Sequence, residues 1–181
     1  MYKITEQGRS MIEMLGVLAI IGVLSIGGLH VINRMQYEHK ATQLVNDFNE
    51  TVTKLQKSIG QMDSGYKNIS VFAYKNNLYS TNWVPNQKNN TIIYTGLLSS
   101  TYKLSGSSDA PHYTVYAMNV DDNICIRLAM QEFPNIMFVF ANEKKLVRSK
   151  TVKLSLENVT DKCNKGSDNQ IYFMFKNPYN S

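Results

Sequence analysis

A single carboxylate at the edge of a long apolar segment constrains this chain more than any other feature. Glu13 is the fifth residue after Gly8, and the apolar run from Met14 to Ile32 that follows it is 19 residues long. A helix needs roughly 20 apolar residues to cross a bilayer. A carboxylate within such a span costs roughly 2.5–3.5 kcal/mol at the helix centre. We therefore predict a membrane-spanning helix in which Glu13 pairs with an amine of another copy of the chain.

The residues that follow predict that this helix continues with one apolar face. The apolar positions recur at the spacing of an α-helix, and they are Leu44, Val45, Phe48, Val52, Leu55, Ile59 and Met62. Gly60 and the turn-forming cluster at 63–65 end the pattern. We predict one helix from Arg9 to Ile59, whose second half packs on a globular head.

Residues 63–181 have the sequence pattern of a strand-rich globular head. Short β-prone runs alternate with turns rich in Asn, Gly and Ser, as in an antiparallel sheet. The predicted strands are Ile92–Tyr94, Tyr113–Met118, Ile136–Phe140, Thr151–Leu156 and Ile171–Phe175. The predicted short helices are Ile69–Tyr79 and Ile124–Met130, with Asp122-Asn123 as the cap of the second. The predicted fold class is α+β.

The charge balance is basic but thinly spread. Nineteen Lys and Arg residues face fourteen Asp and Glu residues, which gives a net charge of +5. Such a surface could meet anionic lipid, DNA or acidic polysaccharide, although a merely solubilising excess is the favoured interpretation. The best candidate for a cationic track consists of Lys144, Lys145, Arg148, Lys150 and Lys153.

The two cysteines, Cys125 and Cys163, leave two interpretations open. Export behind a membrane segment favours one disulfide, and two buried free thiols are the alternative. We predict no metal site, because neither the cysteines nor the histidines have ligand spacing. We also predict no cofactor and no enzyme activity, since no phosphate loop or catalytic triad signature is present.

The N-terminal motif resembles that of the type IV prepilins, in the pilin and pseudopilin superfamily. The resemblance rests on the polar leader 1–8, the Gly8-Arg9 junction, Glu13 and the apolar run behind it. It implies the pilin fold, which is a long N-terminal helix packed on an antiparallel sheet head with a C-terminal region bounded by Cys125 and Cys163. The implied division is a leader at 1–8, a hydrophobic transmembrane and filament-core helix at 9–32, an amphipathic helix at 33–62 and a head at 63–181.

The resemblance also implies how the chain would be processed and assembled. A prepilin peptidase would cut after Gly8, Arg9 would become the new and typically methylated N-terminus, and Glu13 would face that amine on a neighbouring subunit. The implied partners are other copies in a helical filament, the peptidase, an inner-membrane assembly platform and the lipid bilayer before assembly. The chain would be a single-pass bacterial inner-membrane precursor, with a cytoplasmic leader and a periplasmic head, and then part of an extracellular pilus.

Three departures from the family pattern bear on these expectations. Arg9 stands where many pilins have Phe, and His30 stands where type IVa pilins typically have Pro. The Asn-rich turns between Cys163 and the last aromatic strand look like those of type IVb pilins. The alternatives are a type II secretion pseudopilin, which often has a calcium loop that the scattered Asp161 and Asp168 do not provide, and a minor pilin acting as an adhesin or DNA-binding tip.

Overall fold

The computed structural model describes residues 7–62, 65–88, 91–107, 112–146 and 154–176, without the side chains of residues 7–12, 22–28, 61 and 88. Two compact units are present, the first ending at Lys40 and the second comprising Ala41–Ser181. Helix α1, Gln7–Ser58, supplies the first unit and the first element of the second. The predicted long helix is therefore observed, and it ends in a single 3-10 turn at Ile59–Gln61.

The amphipathic stripe of α1 forms one wall of the core of the second unit. Six of its seven predicted members are buried, and the seventh, Met62, lies beyond the helix end and is half-buried. Phe48 is the centre of this wall, since its ring lies 5.0 Å from that of Phe173 and 6.2 Å from that of Tyr102. Because these rings come from two strands of the sheet, the stripe holds the helix against the sheet face.

The head is one antiparallel sheet of seven described strands in the order β1-β2-β3-β4-β7-β5-β6. The strands are β1 Val84–Lys88, β2 Thr91–Thr95, β3 Thr101–Gly106, β4 His112–Val120, β5 Ile136–Ala141, β6 Lys144–Leu146 and β7 Asn169–Lys176. Strand β7, the last described strand, lies between β4 and β5 in the middle of the sheet. Asn142 and Glu143 both have positive φ, which is the backbone of a tight two-residue hairpin between β5 and β6.

Among the described residues, three short α-helices and one 3-10 helix, Leu97–Ser99, accompany the sheet; the α-helices are α2 Ile69–Lys75, α3 Asp122–Ala129 and α4 Leu156–Lys162. The first two correspond to predicted helices, although α2 ends four residues before the predicted limit at Tyr79. The cap of α3 is Asp121, which precedes the predicted pair Asp122-Asn123: the Asp121 carboxylate accepts from the backbone N–H of Ile124. Asp121 is the acceptor because a cap reaches the N–H three residues ahead.

The predicted strand Thr151–Leu156 is not confirmed. Residues 151–153 lie outside the described residues, and Leu156 begins helix α4 instead of ending a strand. The hydroxyl of Ser155 accepts from the N–H of Asn158, which is an N-cap contact. The cap and the burial of Val159 at 0% exposure fix a helical turn where polar alternation had indicated a strand.

Candidate functional site

The first unit presents an exposed apolar helix surface. Ten large apolar side chains between residues 14 and 35 are 50–70% exposed: Met14, Leu15, Val17, Leu18, Ile20, Ile21, Leu29, Val31, Ile32 and Met35. Isolated exposed apolar residues are ordinary on protein surfaces, whereas ten of them on one helix mark a contact with lipid or protein. This surface is the candidate assembly site.

Glu13 lies at the N-terminal end of this surface and is exposed. Within the described residues of the chain, no cation forms a salt bridge with it. Gly8 and Arg9 lie in the first turn of α1, and their side chains are outside the described residues. The structure therefore places the three predicted processing and assembly residues on consecutive turns of one helix. Their roles stay predictions.

No helix among the described residues has both the length and the apolar character that a membrane span requires. The span predicted at residues 14–32 is therefore not confirmed and stays a prediction.

Gly16 lies within the candidate assembly site and leaves an open notch in it. A Cβ placed on Gly16 would meet no atom within 4 Å. A small residue on an apolar helix lets a second helix approach closely. The notch is therefore available for helix–helix contact.

The two cysteines are joined, as their number and the predicted export favoured. Cys125 lies on α3 and Cys163 directly follows α4, and their Cα atoms are 5.8 Å apart in the disulfide. Both residues are buried. The bond ties the two helices together across a sequence separation of 38 residues.

A buried asparagine next to the disulfide was missed from the sequence. Asn169, at the start of β7, has 0% exposure and makes four hydrogen bonds. Its Nδ2 donates to Asp122 Oδ1 at 2.7 Å and to the Gly166 carbonyl at 2.9 Å. Its Oδ1 accepts from Asn142 Nδ2 at 2.7 Å and from the Lys165 N–H at 3.2 Å.

These bonds join the beginning of α3, the β5–β6 hairpin and the loop after Cys163. Asn142 extends the network, because its Nδ2 also donates to the Lys162 carbonyl at 2.6 Å and its Oδ1 accepts from the Gln170 N–H at 2.9 Å. We call the side chains of Asn142, Asn169 and Asp122 the asparagine hub. The hub and the disulfide together define the C-terminal region.

A second buried polar group, also missed, fixes the segment before β1 on helix α1. Asp47 is 4% exposed, and its Oδ1 accepts from Ser80 Oγ at 2.9 Å and from Asn82 Nδ2 at 2.8 Å. The Thr51 hydroxyl accepts from the Ser80 N–H at 2.9 Å. Burial, with a smaller contribution from the nearby Asp47 charge, raises the pKa of Tyr102.

Only two of the five basic residues in the predicted cationic track lie within the described residues. Lys144 and Lys145 are exposed on β6, while the three basic residues after them lie outside the described residues. Asp161 and Asp168 are exposed, and within the described ranges no three His, Cys, Asp or Glu residues cluster as a metal site would require.

The sequence matches no protein-family model and no curated protein. The structure, however, is similar to the crystal structure of a type IVb pilin from Salmonella typhi. The TM-score is 0.55 over 71% of this chain and 95% of that one, at 9% sequence identity. This chain has the pilin fold. At so low an identity, the likeness establishes the fold and leaves the pilin's function to be argued from this chain's own surfaces.

Proposed function

We propose that the chain is a structural subunit of a type IV pilus, with α1 as its polymerisation element. The observation that carries the proposal is the set of exposed apolar side chains at 14–21 and 29–35 on a chain that has the pilin fold. Exposed apolar area of this extent is unfavourable in water by about 25 cal/mol per Å². Lipid before assembly and the helices of other copies after assembly would each remove it from water.

The processing steps follow from the N-terminal motif. A prepilin peptidase would cut after Gly8 on the cytoplasmic side of the inner membrane and free the amine of Arg9. An assembly platform would then move the subunit from the bilayer into a pilus outside the cell. The polar leader must leave first, because Lys3 and Glu6 would otherwise remain next to the apolar surface.

Glu13 would select the register of the incoming copy. A carboxylate among apolar side chains is costly alone, and an amine of a neighbouring copy at the same depth offsets that cost. Removing one partner of a buried ion pair typically costs about 3–5 kcal/mol, because the other charge stays buried without its partner. A subunit seated at the wrong height would leave both charges unpaired, so the pair favours one axial position.

Co-expression with a prepilin peptidase tests both steps. We expect the mass of the mature chain to correspond to residues 9–181, and we expect Glu13→Gln to be cut normally but to yield no filaments in electron micrographs of sheared cell surfaces. Glu50→Gln is the matched control: Glu50 lies on the same helix and pairs with Lys54 at 2.7 Å at the surface, a contact worth little. Cleavage at another bond, or normal filaments from Glu13→Gln, would contradict the proposal.

A further inference from the structure

The face of the sheet that points away from α1 carries an ordered row of rings and lysines. The inward residues of the central strands, such as Tyr102, Val115 and Phe173, are buried against the helix side. Their strand neighbours alternate to the opposite face. Strand register aligns five of these neighbours in one line across β3, β4, β7, β5 and β6: Lys103, Tyr116, Tyr172, Phe140 and Lys145. We call this line the aromatic row.

The three rings of the row stand against one another. The Tyr172 centroid is 4.6 Å from that of Phe140, with 10° between the ring planes, and 5.2 Å from that of Tyr116, with 31°. Two rings that lie side by side in one plane cannot bring their centroids this close together. Neighbouring rings of the row therefore overlap face to face, and their edges point outward. The edge of an aromatic ring is its positive side. The row therefore offers ring edges, which in the two tyrosines include the phenolic hydroxyl, in place of a broad ring face.

The ends of the row are cationic. Lys103 and Lys145 are separated by four strand spacings of about 4.8 Å, which places their Cα atoms about 19 Å apart. Lys145 is held at this face, because its Nζ lies 3.5 Å from the centre of the Phe138 ring. None of the seven described strands contains Asp or Glu, whereas they contain five lysines. One acid, Glu143 in the β5–β6 hairpin, is close enough to the row for its charge to act on Tyr172.

We propose that the aromatic row binds an acidic polysaccharide laid across the strands. Its sulfate or carboxylate groups would meet the two terminal lysines, and its oxygen atoms would meet the positive ring edges between them. Each alternative partner conflicts with one feature of the face. Nucleic-acid bases need open ring faces for stacking, and the stacked rings of the row do not offer them. A bilayer needs protruding apolar side chains, whereas the three rings are half-buried. A second copy applied face to face would oppose lysine to lysine.

The test uses the full chain in a nonionic detergent, so it does not depend on filament formation. The probes are heparin and polygalacturonate, with neutral dextran, oligothymidylate and anionic phospholipid vesicles as comparisons. We expect both acidic polysaccharides to bind more tightly than the oligonucleotide or the vesicles, with no binding to dextran. Equal or tighter binding of the oligonucleotide or the vesicles would overturn the assignment, as would the absence of polysaccharide binding.

Paired variants separate the row from net charge. We expect the double variant Lys103→Gln, Lys145→Gln to weaken polysaccharide binding roughly threefold to thirtyfold. The matched variant Lys57→Gln, Lys75→Gln removes the same charge from exposed positions on α1 and α2, and it should weaken binding less than about twofold. Equal losses in the two pairs would refute the proposal, because net charge alone would then explain binding.

The rings have their own variant. Tyr172→Leu keeps both lysines and removes the central ring edge, and we expect a loss of roughly threefold to tenfold in affinity. Far-ultraviolet circular dichroism checks that this variant is folded. Unchanged affinity in a folded Tyr172→Leu chain would show that the rings take no part. If the variant does not fold, the lysine pair decides the matter by itself.

Discussion

Replacement of Asn169 by Ala should cost the head about 2–4 kcal/mol. The substitution removes four hydrogen bonds, each worth roughly 0.5–1.5 kcal/mol net, or about 2–6 kcal/mol together. Two of the partners, Lys165 and Gly166, are on an exposed loop, where water replaces the lost bonds. We therefore expect a loss in the lower part of the range of about 2–6 kcal/mol. The loss falls mainly on Asn142, which is buried, and on Asp122, which is half-buried.

Urea unfolding of the oxidised full chain in nonionic detergent measures this loss. The chain has a single tryptophan, Trp83, which is 2% exposed, so its fluorescence reports unfolding of the head. Asn164→Ala is the matched control, because Asn164 lies in the same loop and is exposed. It should change the free energy of unfolding by less than about 0.5 kcal/mol. Equal effects of the two substitutions would refute the hub.

Asn169→Asp sharpens the test through pH. The new carboxylate would face Asp122 Oδ1 across a contact that is now 2.7 Å, so at pH 7 this variant should be less stable than Asn169→Ala. Two facing carboxylates raise the pKa of one of them in the folded state above its unfolded value of about 3.9. Between these values the folded chain binds more protons, so stability rises as pH falls. A flat pH profile relative to Asn169→Ala would contradict the assigned contact.

Three further outcomes follow from the described contacts. Changing both Cys125 and Cys163 to Ser should lower the free energy of unfolding by about 3–4 kcal/mol, from the 38-residue separation, in the same urea assay. Gly16→Ala should leave folding unchanged but reduce filament yield, because the open notch would no longer admit a second helix; an unchanged yield in micrographs would show that no helix packs there. In an alkaline absorbance titration, at least three of the eleven tyrosines should ionise above the usual pKa of about 10, because burial raises their pKa. These three are Tyr94, Tyr102 and Tyr113. The stability that they contribute is complete below pH 10 and is lost as the pH rises through their folded-state pKa values. Ionisation of all eleven tyrosines near pH 10 would contradict the burial of these three.

The helix and four of the strands could be read from the sequence because their signals are local. The stripe from Leu44 to Ile59 repeats at helical spacing over four turns, and all of its members are buried. The runs at 92–94, 113–118, 136–140 and 171–175 are β-branched and aromatic, and each lies within an observed strand. The disulfide was accessible for a simpler reason, since two cysteines allow one pairing.

Strand β3 was not predicted although it alternates, whereas several other elements that escaped the sequence depend on tertiary partners. Strand β1 contains Pro85 and three polar residues, and β6 is three residues long, so neither has a pattern of its own. The asparagine hub joins residues 27 and 47 positions apart. In a chain rich in Asn, no local signal distinguishes Asn169 from an exposed turn residue such as Asn164. The lysine and ring alignment of the aromatic row likewise follows from register between distant strands.

Helix α1 is proposed to polymerise the chain through its apolar surface and Glu13. Electron cryomicroscopy of filaments sheared from cells that express the chain with a prepilin peptidase tests it most directly. The proposal predicts residues 14–32 buried against the same helices of other copies, with Glu13 within salt-bridge distance of the N-terminal amine of a neighbour. Filaments in which this helix surface remains exposed, or in which Glu13 faces no amine, would contradict it.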